Sequence, residues 1–220
     1  MKHTLPSLTQ LAIAILTTLN LGAPCAWAES DTAPPQSVTF EPISFDDNSA
    51  YIPKMTEDER YGTVTRTWRR TGKNQGYYVY MATMDPADYT EDMGPSNLVQ
   101  IDGQDTLTTD PQHVGENSLS TIIVARRNEH NNTHSTVYLL KATRHPQKGR
   151  SITSPLPTTV DLYALTHNTP EGFVGFTPDY FQSDERNDIN IGNFTSAEAA
   201  LDAVVKKHLD HQTLMLLGIP

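Results

Sequence analysis

The chain has 220 residues, with 16 Lys and Arg against 26 Asp and Glu, a formal net charge of −10 and a single cysteine. That length is enough for one domain with a buried core, and the negative charge argues against nucleic acid or an anionic membrane surface as the main partner. The lone Cys25 rules out an internal disulfide, so packing and hydrogen bonds must hold the fold.

The first segment reads as an export signal. Lys2 supplies the positive charge, Leu11 to Leu21 the apolar stretch, and Ala26-Trp27-Ala28 a small-residue cleavage site. The apolar stretch is broken by Thr17, Thr18 and Asn20 and is too short to span a bilayer, which takes roughly 20 apolar residues. A signal peptide over 1–28 is therefore expected, and with it a periplasmic or secreted location without stable membrane insertion after cleavage. Cleavage would remove both Lys2 and Cys25, leaving 15 basic residues against 26 acidic ones, a net −11. Residues 29–37, with Pro34-Pro35, read as a flexible leader, and 38–220 as a single domain.

Thr39 to Phe45 suits a first strand, placed at an edge by Pro42. Thr56-Glu57-Asp58-Glu59 has the capping-box form and predicts one helical turn. Thr63 to Arg70 alternates, with Val64 and Trp68 on one face and threonines on the other. After the turn Gly72 to Gly76, Tyr77 to Met84 is rich in aromatic residues that suit a pleated surface, so the two runs predict a hairpin. Asp85 to Ser96 reads as an acidic loop, and Leu98 to Ile101 and Thr106 to Thr108 as short strands.

The continuous apolar run Thr121 to Ala125 and the run Ser135 to Thr143 predict a second hairpin around the polar turn Asn128 to Thr133. Pro146 to Pro157 reads as a connector, Val160 to Leu165 and Phe173 to Phe176 as strands, and Ser183 to Asn193 as a polar loop. At the end, Thr195-Ser196-Ala197-Glu198 predicts a helix start. Leu201, Val204, Val205, His208 and Gln212 continue it at helical spacing, and Gly218 and Pro220 stop it. The fold class expected is α+β: an antiparallel β-sheet built from hairpins, packed by one C-terminal α-helix.

Four constellations can carry chemistry. His130 and His134 are metal-ligating types, but a predicted turn gives them no common face. His208 and His211 lie three apart and would share a side of one helix, with a third ligand from the Asp184 to Asp188 loop. The acidic segments 85–92 and 183–193 resemble calcium loops in composition, but from Asp188 the glycine falls one place early and position twelve is Ala199. Arg66, Trp68, Arg69 and Arg70, with Tyr78 on the neighbouring strand, are the residue types that anchor protein interfaces.

No Gly-x-Ser-x-Gly elbow, His-Glu-x-x-His or phosphate loop occurs. The expected function is therefore that of an exported, soluble, non-catalytic domain that binds another envelope or secreted macromolecule, a protein being the expected partner, in an inhibitor-like, immunity-like or accessory role, with no cofactor. The alternative is a metal-dependent or other hydrolase of the cell envelope, with His130, His134, His208 and His211 as its residues.

Overall fold

The structure is a computed structural model that describes residues 38–86, 96–113, 117–128, 135–167 and 179–219. The signal segment, the leader, the Asn128–Thr133 turn beyond Asn128 and the expected Phe173–Phe176 strand lie outside the described residues. In chain order the strands are β1 Thr39–Ile43, β2 Ser49–Ile52, β3 Gly62–Arg70, β4 Gln75–Met84, β5 Asn97–Val99 and β6 Leu107–Thr108. They continue with β7 Gln112–His113, β8 Ser120–Asn128, β9 Thr136–Arg144, β10 Leu156–His167, β11 Asp179–Ser183 and β12 Ile189–Phe194, followed by the helices α1 Ala197–Val205 and α2 His211–Leu216.

The strands form two antiparallel sheets where one was expected. The first runs β1-β8-β9-β10-β11, with β12 pairing the other half of β10, and the second runs β2-β3-β4-β5, with β6 and β7 also on β4. The reason lies in β8 and β9. Ile122 and Val124 on one face of β8 join a core with Val64, Tyr80, Ala82 and Met84 of the second sheet. Ala125 on the other face joins a separate core with Ala197, Ala200, Leu201 and Val204 of α1. On β9, Val137 and Leu139 belong to the first of these cores, while Tyr138 and Leu140 belong to the second. Strands buried on both faces read as unbroken apolar runs. The first sheet is thus the middle layer, with the second sheet against one face and the helices against the other.

The two sheets are also joined along one edge. Asp102 N–H donates to Phe181 O and Phe181 N–H to Gln100 O, each at 2.8 Å. Asp102 also accepts from Ser183 N–H at 2.7 Å through its carboxylate.

Three expectations need correction. The polar segment 183–193 contains β12, which pairs with Leu156–Val160 of β10. Its polar residues misled because the strand lies at the sheet's margin, with Ile191 buried and Gly192 and Asn193 exposed. Thr56–Glu59 forms turns, not a helical turn, and the Thr56 hydroxyl accepts from the Arg60 backbone N–H at 3.2 Å. The single C-terminal helix is two short ones. At Lys207 the backbone takes φ 55°, and His208 N–H bonds Ala203 O at 2.8 Å while Lys207 N–H bonds Val204 O at 3.2 Å. That pattern closes a helix in a Schellman motif. Asp210 then caps α2 by accepting from Thr213 N–H at 2.9 Å.

Candidate functional site

The β3–β4 register places Arg66 opposite Tyr80, Trp68 opposite Tyr78, Arg69 opposite Tyr77 and Arg70 opposite Gly76. Successive side chains alternate between faces, so the five predicted binding residues divide. Arg66, Trp68 and Tyr78 share the face of Val64 and meet there. The Arg66 guanidinium lies 4.6 Å from the Phe45 ring centre and 5.7 Å from that of Tyr78. Trp68 meets Tyr78 edge-on at 4.9 Å. The result is a row, Phe45–Arg66–Tyr78–Trp68, whose members are each half-buried.

Two local features hold the row. Arg66 Nη2 donates to the Asp47 carbonyl at 3.3 Å. At Gly76, a Cβ would lie 2.5 Å from the Trp68 ring, so glycine here lets the indole lie across the hairpin. The buried Arg66 Nε has no acceptor among the described residues. Below the row, burial pushes the Tyr80 phenol above its ordinary pKa, and the Arg66 charge opposes the shift. Arg69 sits on the opposite face, exposed, with its guanidinium 5.9 Å from the Tyr77 ring centre. Arg70 is exposed at the end of the hairpin.

The metal candidates fare differently. His130 and His134 lie outside the described residues. His208 and His211 are not on one helix: His208 follows the α1 stop, His211 opens α2, and both are exposed. The helical spacing that would have aligned them ends at Lys207. Asp184, offered as a third ligand, is held by Arg186 through Nε at 2.8 Å and Nη2 at 2.6 Å. Among the described residues, no three His, Cys, Asp or Glu side chains are grouped to hold a metal ion.

One constellation was not visible in the sequence. A cleft of about 540 Å³ opens where loop 54–59 meets the ends of β8, β9, β10 and β11. In its wall Asp179, at 3 % side-chain exposure, accepts from Arg60 Nη2 and from His167 Nδ1, the latter at 2.8 Å. Arg60 is itself buried and also pairs with Asp58 at 2.8 Å. These hydrogen bonds to Asp58 and Asp179 raise the Arg60 pKa despite its burial, and those from Thr56 and Arg60 lower that of Asp58 against desolvation. The β10–β11 ladder sets His167 opposite Asp179, and that hairpin is the signal that sequence reading lacked.

The architecture is that of an antiparallel α+β protein with two sheets and short helices. No family model matches the chain, and no curated protein matches it significantly. Among solved structures, the crystal structure of CarG has a similar fold. The TM-score is 0.55 at 10 % identity, over 78 % of this chain and 99 % of that one. At that identity the likeness concerns the fold alone. No helix among the described residues is long and apolar enough to cross a membrane.

Proposed function

We propose that the protein is exported to the periplasm or the exterior and binds another envelope or secreted protein there, in an inhibitor-like, immunity-like or accessory role without catalysis. The observation that supports this reading is the row Phe45–Arg66–Tyr78–Trp68. Trp, Tyr and Arg dominate the residues whose truncation costs most at interfaces. Here they are already packed on one another yet half-exposed, so a partner would immobilise little that is free. Arg69 and Arg70 add exposed positive charge on a chain whose formal net charge is −10. An acidic partner would be drawn to this hairpin and repelled elsewhere, which favours correct encounter more than raw affinity.

The test is affinity capture from envelope extract, with the protein immobilised from Glu29 onward. Trp68→Ala and Arg66→Glu are expected to reduce recovery of the captured protein by more than about tenfold, the loss typical of interface anchors. Arg69→Glu, on the other face, is expected to change the rate of capture and its salt dependence more than the amount recovered at equilibrium. Recovery unchanged by Trp68→Ala and Arg66→Glu would reject the row as the interface.

A further inference from the structure

We propose that the cleft holding His167 is a second binding site, separate from the β3–β4 surface, for a small carboxylate-bearing ligand with an apolar body, recognised by Arg126 and by Nε2 of His167. Asp179 is buried and ion-paired with the buried Arg60, so its carboxylate oxygens serve as acceptors. The imidazole must therefore present its N–H at Nδ1, where the two meet at 2.8 Å. Nε2 is left on a ring that lines the cleft and is 54 % exposed.

Arg126 lines the same cleft from β8. Its guanidinium donates to the Pro53 carbonyl at 2.5 Å and to Ser135 Oγ at 3.2 Å. Neither acceptor is charged, so neither neutralises the guanidinium, and the two contacts hold it in place. The other charges at the cleft are largely consumed in pairs. Lys54 meets Glu59 at 2.7 Å, and Arg60 bridges Asp58 and Asp179. Glu57 stays exposed on the loop. The rest of the lining includes the buried Met55 and Val137 and the half-buried Leu165. A fixed cation, a switchable donor and an apolar wall together suit a carboxylate on a hydrocarbon or aromatic body. A volume of about 540 Å³ lies within the usual range for such ligands.

The tautomer adds a consequence. Because Nδ1–H is committed to Asp179, Nε2 donates a hydrogen bond only when the ring takes a second proton. Carboxylate binding at Nε2 therefore takes up a proton, and affinity falls as pH rises. The charged groups that face the cleft are Asp179, Glu57, Asp58 and Glu59 on the acidic side and Lys54, Arg60 and Arg126 on the basic side.

The experiment is a benzoate titration of protein with isotopically labelled histidine rings, followed by NMR at about pH 5.5 and again at about pH 8. The expected result is a saturable shift of the His167 ring resonances, with binding about tenfold tighter at the lower pH. Arg126→Met should weaken binding about tenfold, and Arg126→Lys, which keeps the charge without the planar fork, by less. His167→Gln, at a half-exposed position, should still bind but lose the pH dependence. Absence of saturation below about 20 mM benzoate, far weaker than ordinary ligand recognition, would overturn the proposal. So would pH dependence that survives in His167→Gln, or an equal response to inorganic phosphate, which lacks the apolar body.

Discussion

Arg144 illustrates how a charged side chain can organise a fold without a salt bridge. It is fully buried, and its guanidinium donates to Phe194 O at 3.0 Å, Ser118 O at 3.0 Å, Ile152 O at 2.7 Å and Ser154 O at 2.9 Å. Those carbonyls belong to the end of β12, the segment before β8 and the connector before β10, so one side chain ties together three separate backbone segments. Arg144→Lys keeps the charge but not the planar five-donor fork. It should lower stability by roughly 3 kcal/mol or more, since one buried and several part-buried acceptors lose their donor at once. Chemical denaturation measures this, and a loss within about 0.5 kcal/mol, the range of a neutral surface change, would contradict the assignment. Asp184 carries a second prediction. The hydrogen bond from Arg186 holds its carboxyl below the ordinary range. The stabilisation is therefore present in full above the unfolded carboxylate value, about 3.9, and is lost as pH falls through the lower folded value. Asp184→Asn should be less stable than the parent at neutral pH, and the gap should close in acid. Urea midpoints at about pH 7 and about pH 3 test it, and a gap that stays constant would reject the linkage.

Among the elements, the short helices depend on how they stop. The second ends as the first does: Gly218 takes φ 67°, with Ile219 N–H bonding Leu214 O at 2.8 Å and Gly218 N–H bonding Met215 O at 2.9 Å. A Cβ at Gly218 would lie 1.8 Å from Arg186 Nη1, in the guanidinium that holds Asp184. Gly218→Ala should therefore cost the left-handed penalty of about 1–2 kcal/mol and displace Arg186 as well. A melting temperature equal to the parent's would contradict this. The strands show what sequence can and cannot reveal. Val64 and the threonines of β3 alternate because one face of that sheet is open, so β3 and β4 were legible at nearly their full length. The apolar run Ile122 to Ala125 was legible as a strand. Its lack of alternation also signalled cover on both faces, and hence a second layer that one helix and one sheet do not supply. Lys207 in a left-handed conformation carried no glycine to mark the break, so periodicity ran on through His208 to Gln212. The chain beyond Leu165 was the least legible: β11 and β12 are short, polar strands fixed by tertiary pairing with β10, and local pattern is a weak guide there.

For the molecule as a whole, the layered order determines which surfaces are available. The middle sheet is covered on both faces, so binding chemistry falls to its ends and to the outer sheet. The β3–β4 row was readable in outline because its residues lie close together in the sequence. Its division by face was not, because Arg69 adjoins Trp68 in sequence but points to the opposite face of the strand. The cleft was invisible for the opposite reason: Arg60, Arg126, His167 and Asp179 come from four distant segments brought together only by the closed fold. On our reading the half-exposed row Phe45–Arg66–Tyr78–Trp68, which continues the core-facing side of β3 and β4 beyond the buried Val64 and Tyr80, meets a protein partner outside the cytoplasm. The most direct test is a photo-reactive amino acid placed at position 68 or, as the opposite-face control, at position 69, with cross-linking in intact cells. A discrete protein adduct from position 68, formed outside the cytoplasm, is expected, with a much weaker one from position 69. No adduct from position 68, with strong adducts from surfaces away from this hairpin, would contradict it.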